Sequence, residues 1–232
     1  MKLQGEIVAE VLRFLDDIPL FSKLCESSAL SLARAGRFCH LEKGEFIFFQ
    51  ADHSEQVYLV RSGDISIMLN SVDGRDMVID EMRSGDIFGY LGILTNKKRS
   101  TSAIARRNSE ILIIPGKVFL SVVENDPLFA RRMLDHVAIR LLTSREHESA
   151  LAFMDAQARL ARLLLELEKL GMDKGYITIS QDELAHRTGL IRQTVAKALG
   201  SWRRKGLLLT GRGRIMLLDH KALRRIENVS ME

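Results

Sequence analysis

The segment from Ile179 to Leu199 constrains the fold more than any other part of the sequence, because it has the pattern of two short helices joined by a tight turn. Ser180 can cap the first helix, and Glu183, three residues later, completes a capping box. Gly189 stands at the turn, where a positive φ is needed and glycine adopts it at little cost. The segment therefore predicts a helix-turn-helix.

The side chains of this segment divide into an inward set and an outward set. Leu184, Ala185, Val195 and Leu199 are apolar or small and are expected to hold the two helices together. The outward set can bond base edges or phosphates, and we expect it to contact DNA: Ser180, Gln181, Arg192, Gln193, Thr194 and Lys197. An ordinary helical hairpin is the alternative, but the second helix has no acidic residue on its outward face, which favours DNA binding.

The residues after the second helix have the pattern of a wing. Trp202 and residues 207–209 are apolar, residues 210–214 form a basic turn, and residues 215–218 are apolar enough for a returning strand. We expect Arg212 and Arg214 in this turn to contact DNA. Residues 155–232 are therefore predicted to form a winged helix-turn-helix domain.

The charge of the chain is divided unevenly between its two parts. Residues 156–232 carry fifteen Lys and Arg against eight Asp and Glu, whereas residues 1–155 carry nineteen against twenty-two. A basic domain suits phosphate binding, and a mildly acidic one suits a sensor or an oligomerisation module. With 232 residues, the chain is long enough for two domains, each with its own core.

No targeting or membrane segment is expected. The apolar residues among the first 21 are interrupted by charged ones and form a helical stripe, so we expect a cytoplasmic protein without membrane contact.

Cys25 and Cys39 have neither metal-ligand nor disulfide spacing, and both are expected to be small buried side chains. No metal site is therefore predicted.

Residues 38–120 alternate short runs of β-branched and aromatic residues with glycine turns. Strands are predicted at residues 46–49, 57–61, 65–69, 77–81, 87–88, 102–105 and 111–114, and Asp73-Gly74 is a hairpin signal. Strands at this spacing indicate an antiparallel β-roll or jelly roll. Together with the predicted helices, they give the fold class α+β.

One stretch within the predicted roll has the features of an anion site. Gly89 and Gly92 begin a short helical turn with unhindered backbone N–H groups, and Arg99 and Ser100 follow with a positive charge and a hydroxyl. Helix-start amides and a guanidinium together can hold an anion. A glycine corner followed by a solvated basic loop explains the same residues, so both interpretations stay open.

A long helix is predicted from Asp126-Pro127 to Phe153. Its heptad positions form a stripe that we expect at a dimer interface: Leu134, Val137, Leu141, Ser144, Glu148 and Leu151. Phe129, Met133 and Leu142 lie off this stripe and are expected to pack on the roll. The alternative is that the stripe itself packs on the roll.

These motifs, in this order, resemble the cyclic-AMP receptor protein and fumarate-nitrate regulator (CRP/FNR) family of bacterial transcription factors. The resemblance extends from about Leu20 to Leu218. It rests on the helix-turn-helix and on these shorter matches: Lys43-Gly44-Glu45, Val57-Tyr58-Leu59-Val60, Ser62-Gly63, Gly85-Asp86-Ile87-Phe88-Gly89, Arg99-Ser100, Leu151-Ala152-Phe153 and Asp155. It implies a cyclic-nucleotide-binding-like roll, a homodimer, a two-fold symmetric DNA operator, and an effector that acts through the dimer helices.

The resemblance also places an effector site in the roll and on the long helix: Gly89, Tyr90, Leu91, Gly92, Arg99, Ser100, Ser144 and Arg145. In cyclic-AMP-binding members a glutamate that holds the ribose follows the first glycine, whereas this chain has Tyr90. A phenol cannot accept both ribose hydroxyl hydrogens as a carboxylate does. We therefore expect cyclic AMP not to be the effector, and another small molecule, or none, stays open.

The sequence as a whole predicts a DNA-binding transcription regulator with a roll sensor (1–125), a dimerisation helix (126–154) and a winged domain (155–232). A cyclic-nucleotide-binding module acting on a partner protein, and a haem-based gas-sensing regulator, are the alternatives. Two cysteines are too few for an iron–sulfur cluster, and no enzyme motif is present. RNA polymerase is expected as a partner, although residues 170–176 are shorter than the polymerase-contacting loop of cyclic-AMP receptors, and activation and repression both stay open.

Overall fold

The computed structural model describes the backbone of residues 2–70, 76–170 and 175–228, and the side chains of residues 5–70, 76–145, 154–170 and 175–228. The chain forms two compact units, residues 1–140 and 141–232. The predicted α+β class, with an antiparallel roll, a long helix and a winged helix-turn-helix, is confirmed. The functional division into residues 1–125, 126–154 and 155–232 stays a prediction.

The first unit begins with two helices and continues as the roll. Its elements in chain order are α1 (Lys2–Asp16), α2 (Glu26–Ala35), β1 (Arg37–Leu41), β2 (Phe46–Phe48), β3 (Gln56–Ser62), β4 (Ile65–Asn70), β5 (Asp76–Met82), β6 (Ile87–Phe88), α3 (Tyr90–Thr95), β7 (Ser102–Ala105), β8 (Ser109–Pro115) and α4 (Gly116–Asn125). The long helix α5 (Pro127–Phe153) begins in the first unit and ends in the second, with the bounds that the sequence predicts.

The roll consists of two four-stranded antiparallel sheets, with strand orders β1-β8-β3-β6 and β2-β7-β4-β5. All seven predicted strands are present, whereas β1 is an additional strand that pairs with β8 at the edge of its sheet. Its residues are mostly half-buried or exposed, so its sequence lacks the alternation that marks a strand with one buried face. The predicted Asp73-Gly74 hairpin lies outside the described residues.

A group of buried apolar side chains joins the helices of the first unit. Phe129, in the first turn of α5, is fully buried, and its ring centroid lies 5.1 Å from that of Phe21 and 5.9 Å from that of Phe119. The Asp126 carboxylate accepts hydrogen bonds from the Phe129 backbone N–H and from the Cys25 backbone N–H, both at 3.0 Å. Asp126 therefore caps α5 and ties its start to the start of α2.

The long helix is also tied to the roll at the last residue of the first unit. There the Arg140 guanidinium forms an ion pair with the Asp80 carboxylate of β5. Both side chains are about one-third exposed, at 32% and 38%. Residues 127–140 are thus held to the first unit at both ends.

The expectation that both cysteines are buried is wrong. Cys25 is exposed because it directly precedes α2, where its Sγ lies 3.3 Å from the hydroxyl of Ser27 and 3.0 Å from that of Ser28. Cys39 is half-buried because it lies on the edge strand β1. Position in the fold, not residue type, decides the exposure of both thiols.

The second unit is the winged helix-turn-helix. Its elements are α6 (Ala156–Lys169), β9 (Ile177–Thr178), α7 (Gln181–Thr188), α8 (Arg192–Arg204), β10 (Leu208–Gly211), β11 (Arg214–Leu217) and α9 (His220–Asn228), and the strands form one sheet in the order β10-β11-β9. Trp202 is 1% exposed within a core shared by these helices and strands. In the part of the chain that the structure describes, no helix is long and apolar enough to cross a membrane.

Candidate nucleic-acid interface and sensor site

The start of α7 and the turn that follows this helix have the predicted geometry. The Ser180 Oγ accepts a hydrogen bond from the Glu183 backbone N–H at 3.1 Å, as an N-cap does. Gly189 has a φ of 65°, and the next residue, Leu190, donates its N–H to the Ala185 carbonyl at 3.0 Å. The predicted cap and the predicted positive φ are confirmed.

The inward residues hold α7 and α8 together as expected. Leu184 and Val195 are fully buried, Ala185 is 7% exposed and Leu199 is 2% exposed. The small side chain of Ala185 lets the helices approach closely. This packing fixes α8 on the domain, so its remaining face is presented to solvent.

The outward residues of α8 are available to a ligand. Arg192, Gln193 and Lys197 are exposed, and Thr194 is half-buried; before them, Ser180 is exposed and Gln181 is half-buried. The Arg192 Nη1 lies 3.3 Å from Oδ2 of Asp182, an acidic partner on α7 that the sequence pattern does not indicate. Both side chains are more than half exposed, and such a surface pair contributes only about 0–1 kcal/mol. Arg192 can therefore exchange this partner for a base or a phosphate.

The wing is a short β-hairpin whose tip is attached to the strand before α7. Gly211 pairs with Arg214, which leaves Arg212 and Gly213 at the tip. Gly213 has a φ of 68°, and its carbonyl accepts a hydrogen bond from the Ile179 N–H at 3.0 Å. Arg212 is exposed, and the Arg214 guanidinium lies 5.3 Å from the centre of the Tyr176 ring.

In the roll, Arg99 is directed into the protein. It is 5% exposed; its Nη1 donates a hydrogen bond to the Gly89 carbonyl at 2.5 Å and its Nη2 donates to the Gln56 carbonyl at 2.7 Å. Its Cζ lies 4.3 Å from the centre of the Phe48 ring and 5.4 Å from that of Tyr58, in cation–π contact. In this arrangement Arg99 donates two hydrogen bonds to carbonyls of the roll, while its buried Nε–H has no hydrogen-bond partner among the described residues.

The environment of Arg99 shifts the pKa values of two groups. Burial lowers the pKa of Arg99, and the neighbouring Tyr58 opposes this shift. Burial raises the pKa of Tyr58, and Arg99 opposes that shift in turn. The sequence does not indicate Phe48, Gln56 and Tyr58 as partners of Arg99, because nothing in a strand pattern shows which ring will cover a guanidinium.

Tyr90 is also directed inward. It is 3% exposed, and its ring meets the His136 ring of α5 edge-on, with centroids 5.5 Å apart and planes at 67°. Burial raises the pKa of Tyr90 to about 12, so the phenol stays neutral. Burial lowers the pKa of His136, an effect that Asp86 partly opposes. Within the described residues, the buried His136 Nε2 has no hydrogen-bond partner.

The other residues of the predicted effector site are more exposed. Leu91 is 50% exposed, and Ser100 is exposed. Gly92 lies against Ser54 and the Lys97 carbonyl, which is 2.8 Å from where a Cβ would stand, so a larger residue would displace this loop. Ser144 and Arg145 are exposed on the part of α5 that belongs to the second unit.

The face that α5 turns to solvent differs in part from the heptad stripe. Leu134 and Leu141 are 62% and 54% exposed, whereas Val137 is half-buried and packs against the core of the first unit. Val137 follows the buried Met133 by about one helical turn and shares its face. The side chains of Glu148 and Leu151 lie outside the described residues.

Of the residues expected to pack on the roll, two do so. Phe129 is fully buried and Met133 is 3% exposed, but Leu142 is 61% exposed, so that part of the expectation is wrong. Leu142 follows Met133 by about two and a half turns and therefore lies on the opposite side of the helix.

Among the residues that the structure describes, no group of three or more His, Cys, Asp or Glu side chains could hold a metal ion. Such groups are the usual protein ligands of transition metals. The site residues of the roll and of α8 thus offer hydrogen bonds and charge.

Comparison with known proteins places the roll and the winged domain in known families. The cyclic nucleotide-binding domain family matches residues 38–126, and the Crp-like helix-turn-helix domain family matches residues 158–226. The cyclic AMP receptor protein of Thermus thermophilus is 29% identical over 209 residues, which cover 90% of this chain and 96% of that protein. The cAMP-activated global transcriptional regulator of Salmonella typhimurium is 27% identical over 170 residues, 69% of this chain and 81% of that protein.

Solved structures show the same fold. A Thermus thermophilus regulator described as of the CRP family is 26% identical with a TM-score of 0.68, over 84% of this chain and 98% of that chain. A regulator from Eubacterium rectale, described as of the CRP/FNR family, superposes with a TM-score of 0.79 at 20% identity, over 91% of this chain and 98% of that chain.

Proposed function

Because this chain belongs to the CRP/FNR family of transcription regulators and carries that family's helix-turn-helix, we propose that it is a homodimer that binds a two-fold symmetric operator and does not depend on cyclic AMP. We further propose that Arg192, Gln193 and Lys197 contact base edges, while Ser180, Gln181, Thr194, Arg212 and Arg214 contact the backbone around them.

One observation carries the DNA-binding part of this proposal. Arg192, Gln193 and Lys197 are exposed on the first turns of α8, while Val195 and Leu199 of the same helix are buried. The N-terminal residues of a recognition helix are those that enter the major groove. Arginine and lysine suit O6 and N7 of guanine, and glutamine suits N6 and N7 of adenine.

The homodimer is supported by α5. Leu134 and Leu141, seven residues apart on one face, are more than half exposed in the single chain. Exposed leucines at heptad spacing are typical of a helix that pairs with a second copy. Two copies related by a two-fold axis would present two α8 helices to an operator with the same symmetry. RNA polymerase is proposed as a partner of the DNA-bound dimer.

The roll supports independence from cyclic AMP. The relatives are named as a cyclic AMP receptor and a cAMP-activated regulator, but here Tyr90 is buried and neutral and Arg99 bonds the Gly89 and Gln56 carbonyls. A cyclic phosphate at Arg99 would have to compete with these two carbonyls for the guanidinium. Each hydrogen bond to a charged group is worth about 1.5–3 kcal/mol.

The test is selection of duplexes from a random-sequence DNA library by the purified protein, without added nucleotide. We expect a palindromic sequence to be enriched and to bind more tightly than random DNA by a factor of at least about 10³. The selected duplex is then titrated with and without cyclic AMP, and we expect equal affinity. A library that yields no enriched sequence, either with or without cyclic AMP, would contradict the proposed function.

A further inference from the structure

A surface cavity lies in the first unit, between the last turns of α1 and the start of α2. Its volume is about 320 Å³. Small-molecule sites in proteins begin at about 300 Å³, so the space is large enough for a small ligand. We refer to it as the α1–α2 cavity. Its apolar walls are Leu12, Leu15, Phe21, Leu24 and Ala29.

The apolar walls connect the cavity to the core of the first unit. Leu15 and Phe21 are 2% and 1% exposed and belong to that core. Leu12 and Leu24 are half-buried and pack against it. The cavity therefore reaches from solvent to buried side chains. An apolar chain that enters it is removed from water, which favours binding in proportion to the area covered.

Charged side chains line the same cavity. Arg13 and Lys23 are exposed, and within the described residues neither forms an ion pair. The third charged residue of the lining is Asp16, which follows Arg13 by three positions on α1 and is exposed as well. Two cations and one acid leave a single net positive charge, which suits a ligand with one negative charge better than a dianion.

The backbone of Lys23 is held in an uncommon conformation. Its φ is 66°, a value that residues other than glycine rarely adopt. The Lys23 carbonyl accepts a hydrogen bond from Nη2 of Arg132 at 3.0 Å. Just before it, the N–H groups of Phe21 and Ser22 both donate to the Ile18 carbonyl at 2.8 Å. These bonds fix the turn that carries Lys23, and strained residues held in this way occur at ligand sites.

Two residues of the lining contact the start of α5. The ring of Phe21 lies 5.1 Å from that of Phe129, between centroids, and the Lys23 carbonyl bonds Arg132. Phe129 and Arg132 lie in the first two turns of α5. A ligand in the cavity would thus contact the side chains against which this helix begins.

We propose that the α1–α2 cavity binds a small amphipathic monoanion, namely an aliphatic carboxylate of medium chain length. The chain lies against Leu15 and Phe21, and the carboxylate lies between Arg13 and Lys23. The cavity shares no residue with the effector site expected in the roll. The inference goes beyond the proposed function, because binding of this ligand by the first unit requires no DNA.

The experiment is isothermal titration calorimetry of the full-length protein with sodium decanoate, kept below its critical micelle concentration. We expect one decanoate to bind per chain with a micromolar dissociation constant. Decan-1-ol has the chain without the charge, and acetate has the charge without the chain. Each should bind at least about tenfold more weakly than decanoate, because each lacks one of the two interactions.

Two variants test the two parts of the site. Arg13→Gln/Lys23→Gln removes both cations, so it should weaken decanoate binding by about tenfold and leave decan-1-ol binding unchanged. Ala29→Phe places a ring in the cavity and should abolish binding of both compounds. Arg34→Gln/Lys43→Gln is the control, since it makes the same change in charge at exposed positions outside the cavity. It should bind decanoate like wild type.

The outcomes decide for or against this site. Several decanoate molecules bound per chain, with equal affinity for wild type and Arg13→Gln/Lys23→Gln, would mean adsorption of the chain alone and would overturn the inference. Undiminished binding by a folded Ala29→Phe protein would overturn it as well, because decanoate would then occupy another site. Circular dichroism checks the fold of each variant. If Ala29→Phe does not fold, the comparison of decanoate with decan-1-ol on Arg13→Gln/Lys23→Gln decides alone.

Discussion

The guanidinium of Arg99 lies over the ring of Phe48, with 4.3 Å between Cζ and the ring centroid. The same guanidinium bonds the carbonyls of Gly89, which caps α3, and of Gln56, which begins β3. A residue that is expected from the sequence to hold an anion thus connects two elements of the roll. Removal of the Arg99 side chain should therefore lower the stability of the roll.

Arg99→Ala should lower the free energy of unfolding by about 2–4 kcal/mol, because it removes two charged hydrogen bonds and a cation–π contact. Urea unfolding followed by circular dichroism measures the decrease. Lys97→Ala, two residues away and exposed, is the matched control and should change stability by less than about 0.5 kcal/mol. Equal effects of the two substitutions would mean that Arg99 does not stabilise the roll.

Cyclic AMP and cyclic GMP should bind weakly or not at all. Tyr90 is buried and has no carboxylate for the ribose, and Arg99 is bonded to the protein. Isothermal titration calorimetry checks binding, and gel-shift assays with and without each nucleotide check its effect. Micromolar binding of cyclic AMP with a large rise in DNA affinity would show that this interpretation of Tyr90 and Arg99 is wrong.

Arg192→Ala should cost about 1–3 kcal/mol on the selected operator and little on random DNA, since the substitution removes a bidentate contact to guanine. Fluorescence anisotropy with both duplexes gives the two values. Asp182→Ala is the companion variant, because it removes only the protein partner of Arg192 and should leave operator affinity unchanged or slightly higher. Equal decreases in affinity for operator and random DNA with Arg192→Ala would mean that Arg192 contacts phosphate alone.

Leu134→Asp/Leu141→Asp should convert the dimer to monomers, because it places unpaired like charges at a two-fold interface. Analytical ultracentrifugation should show this change, and operator affinity should fall steeply because one half-site binds weakly. Both leucines are exposed in the single chain, so the fold should persist. Ile7→Asp, at a position 42% exposed on α1, is the control and should stay dimeric. A double variant that remains a dimer would exclude this face of α5.

The stability of the first unit should decrease as the pH falls below about 6.5, the ordinary pKa of histidine. Burial lowers the pKa of His136 in the folded protein, so the unfolded chain binds the proton more readily. The contribution of neutral His136 to the stability of the first unit is therefore fully present above about pH 6.5, and it is lost as the pH falls below that value. Urea midpoints at pH 7.5 and 5.5 should differ less for His136→Gln than for wild type. His53→Gln, at an exposed position, should keep the full difference.

The sequence predicts the fold of this chain well where local chemistry decides it. Ser180, Gly189 and the buried residues of α7 and α8 behave as their types and spacing require, and all seven predicted strands form. The edge strand β1 is not predicted because few of its side chains are buried. The helix α9 is not predicted because its nine residues carry a single fully buried side chain, Leu223.

The orientation of the sensor residues could not be predicted in the same way. The sequence identifies Arg99 as a cation near two glycines, but its direction is decided by Phe48 and Gln56, which lie more than 40 positions away in the chain. Similarly, the heptad pattern groups Val137 with Leu134, although the roll occupies the face on which Val137 lies. Both the direction of Arg99 and the burial of Val137 are decided by packing between residues far apart in the sequence. Such packing leaves no local signal in the sequence.

The two attachments of α5, at Asp126 and at Arg140, join one stretch of helix to two distant parts of the first unit. Asp126 bonds the start of α2, and Arg140 meets Asp80 of β5 about 20 Å farther along the helix. Because an α-helix has a fixed rise per residue, residues 127–140 set the distance between these two attachments. A change in the position of β5 relative to α2 must therefore strain one of the two attachments or move this stretch of helix.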